Sequence, residues 1–256
     1  MSRKQQCNSL VRSSLVTLTT VAAALFALAA GEAEAQAQTR FGDKGQLAIT
    51  AENLFTLSSA RTAEAAGPFG DVIITSNRFG LLLSNDRDVL SVRAPQVGGH
   101  YFIIPNLSIG ATLGYDSWGG NTTSAPNPNG VTVTQSRGDA STFVFMPKVG
   151  YALMLGDTIG FWFRGGPGFF HYGENGADTR FKDGVTFWLL SLEALFVVNP
   201  VPHFGFFVGP QADISFAGTH TRTDNIGPGG AFVEASQNIS YRAISIGAGL
   251  MGYFDL

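Results

Sequence analysis

The stretch from Leu107 to Trp118 reads LSIGATLGYDSW, with apolar and small or polar residues alternating without a break. Leu107, Ile109, Ala111, Leu113 and Tyr115 share one face, and Ser108, Gly110, Thr112, Gly114 and Asp116 share the other. Period two is the mark of a β-strand, whose successive side chains point to opposite faces. The second face constrains the fold most. It is glycine and small hydroxyl residues, with too little charge to wet the outside of a soluble sheet. The whole chain repeats this economy: of 256 residues only 14% are charged, against about 25% in an ordinary soluble domain. At 45% hydrophobic and a net charge of −3, the chain fits neither a disordered segment nor a nucleic-acid footprint.

Residues 1–37 read as a secretory signal. Arg3, Lys4 and Arg12 precede an apolar run from Leu15 to Ala30, and small residues at Ala33, Ala35 and Ala37 set cleavage near 35–37. The apolar run is shorter than the ~20 residues a membrane helix needs. Cys7, the single cysteine, lies before that run, so residues 38–256 contain none. Disulfides, cysteine metal sites and a cysteine nucleophile are excluded there. No later stretch reaches ~18 uninterrupted apolar residues, which removes the transmembrane helix as well.

The remainder reads as eight strands: 46–58, 92–104, 107–118, 139–155, 158–172, 185–198, 203–217 and 238–256. Short turns follow the second, fourth and sixth, at Pro105-Asn106, Gly156-Asp157 and Asn199-Pro200-Val201-Pro202. Long polar segments follow the first, third, fifth and seventh, at 59–91, 119–138, 173–184 and 218–237. Short turns on one side and long loops on the other describe an outer-membrane barrel. Phe79 to Leu83 (FGLLL) is either a strand extension above the membrane or a segment folded into the barrel mouth. Pro147, Pro167 and Pro210 fall inside strands, where each removes a ladder bond.

Aromatic rings favour the headgroup interface, so two girdles are expected. Tyr101, Tyr151, Phe161, Phe204 and Tyr253 lie near the short turns, and Tyr115, Trp118, Trp188 and Tyr241 near the long loops. Alternation puts Trp118, Tyr241 and Tyr253 on the inner face, so each needs a bulge or a strand end to reach lipid. Four charged residues fall on the inner face at nearly one height: Glu52, Lys148, Arg164 and Glu193. Ionisable groups at membrane depth pair or line water, so these four are expected to form a paired cluster that plugs the lumen.

The signal ending AEAQAQ, the hairpin VGGHYFIIPNLSIGATLGYD and the terminal strand AISIGAGLMGYFDL resemble the small eight-stranded outer-membrane proteins of Gram-negative bacteria, the OmpA-, OmpX- and OmpW-like group. The resemblance implies an all-β, antiparallel up-and-down transmembrane barrel, monomeric, integral to the cell outer membrane. It also implies assembly by the barrel-assembly machinery, which reads the C-terminal strand. The group usually ends on Phe or Trp; here Leu256 is last and Phe254 stands two before it on the same face. A soluble lipocalin-type barrel is the competing fold and would put charge outside and apolar residues inside.

Nothing in the pattern points to chemistry. His100, His171, His203 and His220 have no ligand-spaced partners, so neither a metal nor another cofactor is expected. The His-x-Ser pair of barrel-shaped lipid-A deacylases is absent, since Phe102, Gly173, Gly205 and Arg222 stand two after each histidine. No catalytic residue is assigned. The expected function is a non-enzymatic envelope protein, structural or binding a surface ligand through its long loops. The alternative is passage of small hydrophobic molecules, as in OmpW-like proteins, with inward Phe170, Leu189, Leu195 and Val197 as the lining.

Overall fold

The computed structural model describes residues 40–65, 71–81, 92–123, 134–176, 181–225 and 232–256. They form β1 (Gln46–Ala65), β2 (Asp71–Leu81), β3 (Gln96–Ile104), β4 (Leu107–Thr123), β5 (Thr134–Met154), β6 (Ile159–Asn175), β7 (Phe181–Val201), β8 (Phe204–Asn225) and β9 (Phe232–Asp255). Neighbours are antiparallel throughout. β1 and β9 pair from Gln46↔Asp255 to Glu64↔Ile239, which closes the sheet on itself. Eight strands, β1 and β3–β9, make the wall. The signal segment 1–37 lies outside the described residues, and so do Leu82 and Leu83 of the FGLLL motif.

Three boundaries depart from the sequence reading. The second wall strand begins at Gln96 rather than Val92, and residues 92–95 leave the wall. β7 continues through Asn199 and Pro200 to Val201, leaving Pro202-His203 as the turn. His203 takes a left-handed φ of 65° there, and its Nδ1 lies 2.9 Å from the carbonyl oxygen of Tyr253. Phe79 belongs to β2, a ninth strand that pairs with the outer half of β1 from Phe55↔Leu81 to Ala65↔Asp71. The wall strands also run further outward than their alternation alone marks, because outer extensions carry polar residues on both faces.

Alternation sorts the two faces as lipid and lumen require. Val97, Ile109, Leu113, Val149, Leu192 and Ile246 are exposed, while Ser108, Thr112, Lys148, Glu193 and Ser245 are buried. A soluble carrier has the reverse arrangement, so the lipocalin alternative fails on this observation. The strand prolines interrupt ladders without shifting them. β5–β6 pairing stops at Phe145↔Phe169 and resumes at Val149↔Gly165, around Pro147 and Pro167. β7–β8 pairing stops between Glu193↔Gln211 and Phe196↔Val208, around Pro210. Gly166 permits the first of these approaches: a Cβ there would stand 2.1 Å from the Pro147 carbonyl oxygen.

Candidate functional site

The lumen is filled in layers. At the short-turn end the chain before β1 folds into the barrel. Phe41 is 1% exposed and packs edge-on against Phe102, Trp162 and Tyr253, with ring centroids 5.2–5.4 Å apart. Leu195, Val197, Phe207 and Met251 complete this apolar floor. Gly42 makes the turn at φ 101°, and the Asn106 amide donates to its carbonyl at 2.7 Å. The plug is thereby tied to the β3–β4 turn.

Above the floor lies a layer of ions. Glu52 reaches it through a bulge: β1 advances from Ala51 to Phe55 while β9 advances only from Leu250 to Ala248. Asn53 sits in the bulge with φ 57°, a left-handed conformation that asparagine tolerates better than most residues. Lys148 donates to Glu52 at 3.0 Å and to Glu193 at 2.8 Å. Arg164 Nη1 donates to Glu52 at 2.5 Å, and its Nε donates to the second oxygen of Glu193 at 2.8 Å. Thr50 also donates to Glu52, at 2.8 Å. The guanidinium of Arg164 lies 4.4 Å from the centroid of the Trp162 ring, so the ion layer rests directly on the apolar floor.

Arg93 extends this layer and comes from outside the wall. It holds Asp213 bidentately at 2.7 Å through Nε and Nη2, and donates to Glu193 at 2.6 Å and Ser191 at 2.9 Å. Arg93, Lys148 and Arg164 thus face Glu52, Glu193 and Asp213, with side chains at most 1% exposed in each ion pair. Burying charge out of water is unfavourable unless it is paired and hydrogen-bonded, and the layer meets both conditions.

Arg93 and Asp213 escaped the sequence reading for different reasons. Asp213 falls on the inner face of β8 by simple alternation with Gln211, so the pattern held it. Arg93 does not: counted in register from Val97, it falls on the outward face, in lipid. That placement was itself the signal that the chain could not be wall there. Phe41 precedes the first alternating segment, and no periodicity marks it.

A second apolar layer closes the lumen above the ions. Val92, Val144, Met146, Phe170, Phe187 and Leu189 pack there with Tyr241. At the outer mouth, above this layer, His220 of β8 bridges Glu64 of β1 and Asp183 of β7, and Gln237 of β9 donates to Glu64. Burial disfavours the imidazolium, but the hydrogen bonds and charge of Glu64 and Asp183 outweigh it, and the His220 pKa is raised.

The girdle positions divide. Tyr101, Tyr151, Tyr115 and Trp188 are exposed on the outer face, and Phe161 and Phe204 are half-buried on it. Tyr253 and Tyr241 are 1% and 2% exposed and lie in the lower and upper lumen layers. Neither is a girdle residue, because no bulge reverses its face. The Trp118 side chain lies outside the described residues. Phe254 is half-buried and Leu256 is 82% exposed; the Leu256 amide donates to the Gly45 carbonyl at 3.2 Å. Leu195 and Val197 sit below the ions and Phe170 and Leu189 above them, so these four do not form one continuous lining.

No family model and no curated protein matches the chain. Solved structures similar to it include the outer membrane protein OprG from Pseudomonas aeruginosa, at 11% identity over 85% of this chain and 100% of that one, with a TM-score of 0.48. The outer membrane protein AlkL, determined in lipid bilayers, is similar at 13% identity over 88% and 97%, TM-score 0.44. Neisserial surface protein A is similar at 10% over 83% and 100%, TM-score 0.39. Strand count, antiparallel closure and the apolar exterior make the fold that of a small bacterial outer-membrane β-barrel.

Proposed function

We propose that the chain is an exported, monomeric, non-enzymatic barrel integral to the outer membrane, with a lumen closed to ions and its outward contacts made by the strand extensions and loops. One observation carries this reading: three cations and three carboxylates neutralise one another across the lumen, with apolar side chains packed below and above. An open pore needs a continuous wet path, and such channels come with about 16 strands. Outer-membrane lipid is then the barrel's solvent. The terminal strand, with Phe254 and Leu256, is the segment offered to the assembly machinery, and residues 1–37 are removed on export. The test is conductance in planar bilayers. The refolded protein is expected to be silent, and a steady ohmic current would overturn the reading.

A specific observation favours a second reading, passage of small hydrophobic molecules. β3 ends at Gln96, whereas its neighbour β4 continues outward to Thr123. β2 takes the vacated edge of β1, yet among the described residues it forms no ladder with β4. The upper wall is therefore split beside the upper apolar layer. Entry of an apolar dye into proteoliposomes, abolished by a disulfide joining β2 to β4, would support this reading over the first.

A further inference from the structure

Arg61 of β1 and Arg242 of β9 stand directly opposite one another in the ladder that closes the barrel. Both are exposed on the outward face, since Ala60, Thr62, Tyr241 and Ala243 beside them are buried toward the lumen. Directly opposed residues have Cβ atoms about 5 Å apart, and like charges there repel. The adjoining outward positions are Ser59, Ser240, Thr75 and Ile214, none of which is acidic. The contrast with the lumen is complete: there every cation meets a carboxylate, whereas among the described residues this pair meets none.

Height supplies the second part of the argument. Below Arg242 the outward residues of β9 are Ile244, Ile246, Ala248 and Leu250; above it they are Ser240, Asn238, Ser236 and Glu234. On β1 the apolar run ends at Leu57, two residues before Ser59. From Phe254 at the short-turn end, Arg242 lies roughly 30 Å up a tilted strand, just past an apolar band about 25 Å tall. The pair therefore stands at headgroup level, directly over an exposed aliphatic stripe in which Ile244 is 72% and Leu57 is 51% exposed.

We propose that Arg61 and Arg242 clamp a phosphate group on the headgroup of an outer-leaflet lipid. Two adjacent guanidinium forks match phosphate oxygens bidentately, and an anion between them turns their repulsion into attraction. The acyl chains of such a lipid would lie along Ile244 and Leu57 immediately below, so one molecule satisfies both halves of the site. A free phosphate would use only the charges.

This inference rests on the membrane reading, so the test separates the two. The refolded protein is first inserted into phosphatidylcholine vesicles and scored by protection from protease; failure to insert would overturn the membrane reading and the clamp with it. Phosphatidic acid is then titrated onto the protein in detergent micelles, and bound lipid is counted by native mass spectrometry. The double variant R61Q/R242Q is expected to insert normally and to bind phosphatidic acid roughly tenfold more weakly, since it loses two solvent-exposed charge pairs. R222Q removes one positive charge elsewhere on the surface, beside Asp224, and is expected to bind as the parent does. Inorganic phosphate at equal concentration should compete weakly; competition as strong as that of the lipid would mean the acyl chains add nothing. Equal binding by R61Q/R242Q and the parent protein would overturn the proposal.

Discussion

The ion layer in the middle of the barrel and the His220 cluster at its outer mouth use the same chemistry in different solvents. In the layer, the ion-paired side chains of Glu52, Arg93, Lys148, Arg164, Glu193 and Asp213 are at most 1% exposed. At the mouth, those of His220, Glu64 and Asp183 are 16–24% exposed. Water reaches the second set and screens it. In the first set, each member left unpaired would be a bare charge in a dry interior. The same carboxylate–cation contact is therefore structurally obligatory in one place and adjustable in the other.

The largest expected effect comes from removing one member of the layer. Arg164→Ala leaves Glu52 and Glu193 each one donor short and is expected to cost about 3–5 kcal/mol, measured by urea unfolding in vesicles. Glu193→Ala should be comparable, and the double variant should cost clearly less than the sum. Additive costs would show that the two residues are independent and that the layer is not one network.

Arg93→Ala tests whether the layer also holds the segment before β3. It strands Asp213 and frees the turn at 92–95, with an expected cost near the low end of the same range, about 3 kcal/mol. Because Arg93 is not part of the wall, the barrel should still close, and small-ion conductance should appear where the parent is silent. A variant that stays silent in bilayers would show that the apolar layers and the remaining ion pairs seal the lumen without Arg93.

At the mouth the expected effect is smaller and depends on pH. The folded-state pKa of His220 is raised by Glu64 and Asp183, so its stabilising contribution is fully present below the ordinary imidazole value, about 6.5, and fades as pH rises through the raised one. Protease cleavage of the outer loops should accelerate across that window in the parent protein. In His220→Gln it should be insensitive to pH there. A parent whose cleavage rate is flat across the window would remove the cluster from any role in holding β1, β7, β8 and β9 together.

Salt should produce the smallest difference. Raising ionic strength from 0.1 M to 1 M shortens the screening length from about 10 Å to about 3 Å. Loop cleavage at the mouth should rise modestly, while unfolding of the barrel in vesicles should shift little. Equal sensitivity would mean that water and ions reach the layer, contrary to a closed lumen.

How much of this was legible in the sequence follows from which contacts are local. The inward positions of Glu52, Lys148, Arg164 and Glu193 could be read by counting along each strand, because the pleat alternates regardless of neighbours. Tyr241 and Tyr253 could be misassigned to the interface only by discounting that same count. Phe41 and Arg93 were beyond it: both lie in irregular backbone, where no period exists, and each is placed by what fills the lumen. His220 sits in β8, beyond where the strand reading stopped, and its partners come from β1 and β7, far apart in the chain.

By itself the sequence determined a strand wall with lipid-facing and lumen-facing sides, and an inner face carrying buried charge. It could do so because alternation, turn residues and charge scarcity are properties of short segments. Which charges meet, that a turn from outside the wall completes the ion layer, and that Arg61 and Arg242 share a rung were decided only by closure. Closing a sheet into a barrel sets a stagger between strands, and that stagger converts positions along nine separate strands into distances across one lumen and one outer surface.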